Sequence, residues 1–199
     1  MSETARRGPY AKGIARREQI LHEALLAYSE SDASGPSLRS IAARVGLSER
    51  GLLHYFASKD ELYVSILRER DASDLALIDL DAPIDELARM RSQSSQTPGL
   101  VRLFLEMGVA APDVTNAAHE FFTKRYGRLR EAVARMFAHS VERRTGNEPS
   151  ESDAEFAARI LVAASDGLQL QWLLEPAMDM QADLVRLAKV LRANPTVSD

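Results

Sequence analysis

The chain has 199 residues, of which 45% are hydrophobic, and a formal net charge of −4, a composition that supports one folded domain or two small ones. It contains no cysteine, which excludes disulfides and thiolate metal sites, and it has no apolar run near the roughly 20 residues that span a bilayer. The N-terminal sequence MSETARRGPYAKGIARREQ lacks the apolar core of a signal peptide. These features predict a cytoplasmic protein without a membrane partner.

Charge is unevenly distributed along the chain. Residues 1–59 carry nine Lys or Arg and six Asp or Glu, a net +3, whereas residues 60–199 carry 16 and 23, a net −7. A basic region on an acidic body is typical of a protein that contacts phosphate with one end only. The distribution therefore favours a nucleic-acid contact near the N-terminus.

Residues 1–13 are predicted to form a flexible basic arm, because Gly8, Pro9 and Gly13 argue against a continuous helix there. The basic side chains of this arm leave two interpretations open. The arm is a solvated tail, as many termini are, or it lies on DNA phosphate or in the minor groove.

A stretch of about 20 residues that begins at Ser37 shows two short helices joined by a tight turn. Ser37 is positioned to cap the first helix, and Gly46 to end it in the left-handed conformation. Ser48 caps the second helix, in which Leu52 and Phe56 lie four residues apart and form the inward face. This is the helix-turn-helix pattern, over residues 37–56, which places its second helix in the DNA major groove.

Three segments carry a family resemblance: the first-helix run RREQILHEALLAYSE, then IAARVGLSERGLLHYF, and SKDEL. The last of them is an S-x-x-E capping box, from Ser58 to Glu61, that opens the next helix. Together they resemble the DNA-binding domain of the TetR family of bacterial transcriptional regulators. The chain departs from many family members at Leu53 and Tyr55, where tyrosine and histidine are common.

The resemblance implies an all-α fold of about nine helices. Residues 14–70 would form an N-terminal three-helix helix-turn-helix domain that binds DNA. Residues 71–199 would form a C-terminal helical domain for effector binding and dimerisation.

The predicted recognition helix directs outward, toward DNA, the side chains that do not face the core. Arg50 can donate to O6 and N7 of guanine, and a good bidentate pair contributes ~1–3 kcal/mol of discrimination. Glu49 can accept from a cytosine amino group or orient Arg50, and Leu53 can contact a thymine methyl. His54 and Tyr55 either donate to phosphate or pack against the first helix. Gly51 lets the backbone approach DNA closely, and basic residues of the neighbouring helices can contact phosphate. The predicted DNA-binding residues are Arg16, Arg17, Arg39, Ser48, Glu49, Arg50, Gly51, Leu53, His54, Tyr55 and Lys59.

Beyond residue 70 the sequence predicts helices throughout, with no strand-like alternation. Each predicted helix is bounded by a capping residue, a glycine or a proline. The helices are expected over about residues 83–94, 98–111, 116–145, 152–175 and 180–193, with a Ser/Gln-rich loop over residues 92–97.

The resemblance also implies a small-molecule effector, because family members commonly bind one in the body and thereby change the spacing of the two DNA-binding heads. The residues predicted to line a mostly apolar pocket are Phe104, Met107, His119, Phe122, Tyr126, Gln169 and Trp172. The alternative interpretation is that these side chains are ordinary core.

A homodimer is implied as well, in which the last two long helices pack with their mates as a four-helix bundle. The predicted interface residues are Ile160, Ala164, Leu168, Gln171, Leu184, Leu187 and Leu191. The alternative is that these stripes are buried inside the monomer. A two-fold dimer is suited to reading a palindromic operator.

No catalytic motif is present in the sequence: there is no Gly-rich phosphate loop, no G-x-S-x-G and no His pair at i, i+4. No enzyme activity, metal or cofactor is therefore predicted. The predicted function is a sequence-specific transcriptional regulator, a repressor that a small-molecule effector releases from an inverted-repeat DNA operator. A small-molecule carrier protein, or an activator of the same fold, remains the alternative.

Overall fold

The computed structural model describes residues 9–75, 79, 82–85 and 97–193. Within these residues the secondary structure is entirely helical, which confirms the predicted all-α fold. The eight helices are α1 (Pro9–Ser29), α2 (Leu38–Arg44), α3 (Glu49–Leu53), α4 (Lys59–Leu75), α5 (Pro98–Ala110), α6 (Ala117–Thr145), α7 (Glu151–Leu174) and α8 (Met180–Ala193).

The helix-turn-helix, α2 and α3, forms as its capping residues predict. Ser37 Oγ accepts from the Ser40 N–H at the start of α2, and Ser48 Oγ accepts from the Gly51 N–H at the start of α3, each at 3.1 Å. Gly46 has φ +66°, a left-handed conformation that lets the chain reverse between the two helices at no steric cost.

Helix α1 corrects one prediction, because it begins at Pro9 and continues through Gly13. Proline is well tolerated at the first position of a helix, where its missing N–H would have no intrahelical partner. A single helical glycine costs only about 1 kcal/mol relative to alanine. That cost is offset further along α1, where Ile20 and Ala24 are fully buried.

Helix α4 begins after Ser58, whose Oγ accepts from the Glu61 N–H at 3.0 Å. It runs without a break to Leu75 and therefore crosses the predicted domain boundary at residue 70. Since α4 packs against α1, α5 and α6, it is the element that connects the helix-turn-helix to the body.

The core is continuous between the two regions. One apolar cluster includes Ile20 on α1, Leu52 on α3, Leu62 on α4 and Phe104 on α5. Two smaller clusters lie between α6, α7 and α8. The helix-turn-helix is thus built on a scaffold that extends into the body.

The body helices follow the predicted capping signals. Helix α5 has Pro98 in its first turn, and Asn116 caps α6 by accepting from the Ala118 N–H at 2.9 Å. Gly146, with φ +75°, ends α6. Of the predicted helix over residues 83–94, only residues 83–85 are described, and of these Ile84 and Asp85 are helical; the remainder of that helix and the predicted Ser/Gln-rich loop lie outside the described residues, apart from Thr97.

Candidate nucleic-acid interface and effector site

Helix α3 has one face in the core and the other in solvent. Leu52 and Phe56 are buried, as their spacing predicts, whereas Glu49, Arg50 and His54 are exposed. A short helix seated in this way presents its free side chains together on the outer surface of the protein. This is the arrangement that a reader of base edges in the major groove requires.

Two other side chains predicted to contact DNA are more enclosed. Leu53 is half-buried, and Tyr55 is half-buried and packs against the core cluster. The rings of His54 and Tyr55 meet edge to face with centroids 6.0 Å apart. Gly51 has a local role, since a Cβ there would lie 3.3 Å from the capping Ser48 Oγ.

Arg17, whose side chain is 37% exposed, contacts residues of α4 and of the turn between α3 and α4. Its Nη2 donates to Ser65 Oγ at 2.9 Å and lies 3.1 Å from Glu61 Oε1, both on α4. Its guanidinium also stacks over the Phe56 ring at 4.7 Å. These contacts give Arg17 a structural task, and a phosphate contact would have to share or replace them.

Arg16 is similarly engaged with the chain itself. It donates to the Val45 carbonyl, in the turn between α2 and α3, and to Gln19 Oε1 at 2.6 Å. Of the basic residues predicted to contact phosphate from neighbouring helices, Arg39, in the first turn of α2, and Lys59, in the first turn of α4, stay exposed. These two lie on either side of α3 in the chain.

Some of the predicted effector residues form a ring cluster between α5 and α6. The ring centroids of Phe104 and Phe122 are 5.1 Å apart, and those of Phe122 and Tyr126 are 5.8 Å apart. Met107 and Gln169 are buried. The Tyr126 hydroxyl is 2.6 Å from an Asp166 carboxylate oxygen on α7, to which it donates.

His119, also predicted to line the pocket, contacts the backbone at the end of α5. Its Nδ1 lies 2.9 Å from the Ala111 carbonyl oxygen, just beyond the end of α5. The ring therefore ties the end of α5 to the start of α6. Trp172 is half-buried near the end of α7.

Sequence reasoning missed the charged centre of the body. Arg125 on α6 is buried beside Phe104, and its Nε lies 2.8 Å from Asp71 Oδ2 on α4. In the sequence Arg125 is one of many basic residues on a long amphipathic helix, so no local signal marks it as buried. The only available sign was the helical spacing that places it on the same face as Phe122 and Leu129.

The predicted dimer stripes divide between the core and the surface. On α8, Leu184 is buried within the chain, and Leu187 and Leu191 pack against the apolar clusters. The stripe on α8 is thus part of the monomer core, and the assignment of Leu184 to a dimer interface is wrong. On α7, Ile160 and Gln171 are exposed and Ala164 and Leu168 are half-buried.

Family models match most of the described chain. Residues 20–66 match the model described as bacterial regulatory proteins of the tetR family, and residues 87–193 match the C-terminal domain of BetI-type transcriptional repressors. The second match alone covers more than half of the chain. The chain belongs to the TetR family.

Curated TetR-type relatives include the HTH-type transcriptional regulator RutR of Escherichia coli K12 and that of Shigella flexneri. Each is 35% identical over 109 residues, which is 49% of this chain and 50% of the relative. The matched segment thus spans about half the length of these curated relatives.

Several solved structures share the fold. A TetR transcription regulator from Haloarcula marismortui has a TM-score of 0.69 at 19% identity, with 90% of this chain and 97% of that chain covered. A transcriptional regulator from Rhodococcus sp. Rha1 has a TM-score of 0.63 at 21% identity, with 89% and 94% covered. The multidrug binding protein EbrR, in complex with proflavin, has a TM-score of 0.55 at 24% identity, with 88% and 99% covered.

Among the described residues there is no group of three or more His, Cys, Asp or Glu side chains placed to hold a metal ion. None of the helices described is both long enough and apolar enough to cross a bilayer.

Proposed function

We propose that the chain is a DNA-binding transcriptional regulator that acts as a homodimeric repressor and leaves its operator when a small molecule binds the body. The observation that carries this proposal is the outward face of α3, where Glu49, Arg50 and His54 are exposed above the buried Leu52 and Phe56. Its family membership supports the same activity, since the matched models describe bacterial regulators and repressors.

Base recognition is assigned to Arg50, with Glu49 beside it, because the guanidinium edge matches the two acceptors of guanine. Arg39 and Lys59 would hold the helix on the duplex by contacts to phosphate, which position the protein without reading sequence. Arg17 supports this surface by stacking on Phe56 and by its hydrogen bond to Ser65 on α4.

A second copy of the chain is the proposed partner of α7. The side chains opposite its buried face are apolar and exposed: Phe156 44%, Ile160 36%, Leu170 51% and Leu174 81%. With Ala163 and Gly167 between them, the spacing alternates between four and three residues, which is the seam of two packed helices. Small residues at the centre allow the helices to approach closely, and the two-fold dimer that results would read an inverted repeat.

Release by the effector is proposed as a population shift between two arrangements of the heads. The effector binds the arrangement that does not fit DNA better than the one that does. A 100-fold loss of operator affinity requires about 2.7 kcal/mol of differential affinity. The body must therefore hold the ligand where it can act on α4.

The experiment that tests DNA recognition is selection of bound sequences from a random duplex pool at physiological salt. An inverted repeat with half-sites about one helical turn or more apart is expected. Arg50→Ala should relax the base preference, and Lys59→Ala should weaken binding to all sequences alike and flatten the salt dependence. Arg135→Ala, which changes an exposed arginine of the body, is the control.

A carrier protein with an incidental basic end is the rival function. It would enrich no sequence, and its weak DNA binding would vanish in moderate salt. That outcome would overturn the proposed regulator.

A further inference from the structure

Arg125 is a buried cation whose hydrogen-bonding capacity is largely unused. Its side chain is 6% exposed, and Nε lies 2.8 Å from Asp71 Oδ2 without a hydrogen-bond geometry. Nη1 is buried and has no hydrogen-bond partner among the residues that the structure describes. A buried donor of a charged group costs considerable free energy when it is left unsatisfied. Such a group in a native protein requires an explanation, and a ligand that supplies the missing acceptor is one.

Aromatic rings limit how a ligand can reach this guanidinium. Its Cζ lies 4.6 Å from the ring centroid of Phe104 and 5.6 Å from that of Tyr126. Rings near a guanidinium plane favour approach along the N–H edges, and a carboxylate matches those edges with two acceptors in one plane. The geometry therefore favours a planar anion over a cation or a neutral ring.

A second unsatisfied group lies at the hydroxyl of Tyr126. Asp166 Oδ2 accepts from the Tyr126 hydroxyl at 2.6 Å, while Asp166 Oδ1 is buried without a hydrogen-bond partner in the described chain. This oxygen is an acceptor that calls for an O–H or N–H donor. A buried unsatisfied donor thus lies near the ring of Tyr126, and a buried unsatisfied acceptor belongs to the carboxylate at its hydroxyl.

We propose that the effector is a small carboxylic acid that also carries a hydroxyl or amino group. Its carboxylate binds Arg125 in place of Asp71, and its hydroxyl or amino group donates a hydrogen bond to Asp166. This inference rests on the proposed function, since it names the chemical class of the ligand that would release DNA.

Displacement of Asp71 gives such a ligand a route to the DNA-binding surface. Asp71 lies near the end of α4, whose first residue, Lys59, follows closely after the recognition helix. Near the start of α4, Asp60 Oδ2 accepts from Asn116 Nδ2 at 2.8 Å. When the ligand binds Arg125, α4 loses the Asp71–Arg125 ion pair to α6 but keeps the Asp60–Asn116 hydrogen bond near its start. Because only one of the two polar contacts remains, α4 is free to tilt. The ligand favours the tilted state because only there is Arg125 fully available.

The test uses the full-length protein and five carboxylates, each paired with its uncharged amide: benzoate, 3-hydroxybenzoate, 4-hydroxybenzoate, propanoate and lactate. Melting temperature reports binding, and fluorescence anisotropy on the selected operator reports release. At least one carboxylate, and not its amide, should raise the melting temperature and weaken operator binding. Hydroxylated acids should act at lower concentration than their parent acids.

Variants assign the effect to the two charged residues. Arg125→Met should abolish the response to carboxylates. Arg125→Lys, which keeps the positive charge, should retain a weaker response, and it serves as the test if the methionine variant does not fold. Asp71→Asn should bind the active carboxylate about tenfold more tightly, within the range of ordinary coupling between sites, because the internal competitor is gone. Arg128→Met, on the exposed side of the same helix, should respond as wild type.

The inference is overturned if no carboxylate acts, if acids and amides act equally, or if Arg125→Met responds as wild type does. Equal carboxylate affinity in Asp71→Asn and wild type would also overturn it. Its failure is distinguishable from failure of the proposed function: in the first case the protein selects an operator that carboxylates do not release, and in the second it selects no operator.

Discussion

The guanidinium of Arg17, on α1, stacks over the ring of Phe56 at 4.7 Å and donates to the Ser65 hydroxyl on α4. Phe56 follows the recognition helix α3 by only three residues. One side chain thus joins the first helix, the recognition helix and the helix that leads to the body. The surface that is proposed to read DNA is consequently held in place by a partly exposed residue that the sequence alone predicted to contact DNA.

Arg17→Ala is expected to destabilise the fold by about 1–3 kcal/mol, because it removes a cation–π contact and a charge-assisted hydrogen bond together. Arg17→Lys should recover only part of the loss, since an ammonium does not reproduce the planar fork. Denaturant unfolding measures both. Arg50→Ala, at an exposed position, should stay within about 0.5 kcal/mol of wild type; equal losses for the two alanine variants would contradict the structural task assigned to Arg17.

Leu170→Glu is expected to convert the dimer to a monomer, because it places a charge in the proposed seam of α7. Sedimentation velocity at several protein concentrations checks this, and operator affinity should fall with dimerisation. Val109→Glu is the matched control: Val109 is 83% exposed and lies on α5, not on α7. A Leu170→Glu variant that remained dimeric would rule out this face as the interface.

Gly99→Ala is expected to cost about 1–3 kcal/mol. A Cβ at this position would lie 2.1 Å from Ser31 Oγ and 3.1 Å from the backbone carbonyl oxygens of Tyr28 and Asp32, where α5 meets the end of α1. Adding Ser31→Ala should restore part of the stability, because it removes the closest contact and leaves the carbonyls in place.

The control for that pair is Gly127→Ala. Gly127 lies inside α6, and a Cβ at this position would have no neighbouring atom within 4 Å outside its own helix backbone and adjacent residues. Alanine there should therefore raise stability by up to about 1 kcal/mol through its helix propensity. Thermal unfolding distinguishes the cases. If Gly99→Ala were as stable as Gly127→Ala, the close contact between α1 and α5 at Gly99 would be contradicted.

Alkaline pH should unfold the protein partly through Tyr28. Burial, together with the neighbouring Tyr63, raises the pKa of Tyr28 above its ordinary value of 10.0. The folded state therefore keeps the phenol neutral at a pH where the unfolded chain loses the proton. Stability from this source is fully present below about pH 10 and is lost as the pH rises above it.

Tyr28→Phe should flatten the fall in melting temperature between about pH 9 and pH 11, while Tyr55→Phe, at a half-buried position, serves as the comparison. The phenylalanine variant loses the hydroxyl contact with Tyr63 at every pH, so the informative quantity is the slope and not the melting temperature itself. Identical slopes in wild type and Tyr28→Phe would show that Tyr28 does not control alkaline unfolding.

The sequence by itself determined the elements whose signals are local. Ser37, Ser48 and Asn116 cap helices, and Gly46 and Gly146 end them, because a cap or a left-handed residue acts within one turn of the chain. The inward positions of Leu52 and Phe56 follow from helical spacing in the same way. The TetR family and the all-α fold were therefore correctly predicted from the residues.

Tertiary structure alone decided which charged and apolar side chains have partners within the chain. Arg17 contacts Ser65, 48 residues away in the chain, and Arg125 on α6 contacts Asp71 on α4. An arginine on an amphipathic helix looks the same in sequence whether its partner is protein, phosphate or water. Leu184 faces the core instead of a second copy for the same reason. Capping is settled by the backbone within a few residues, whereas burial depends on how distant helices pack, which no local pattern encodes.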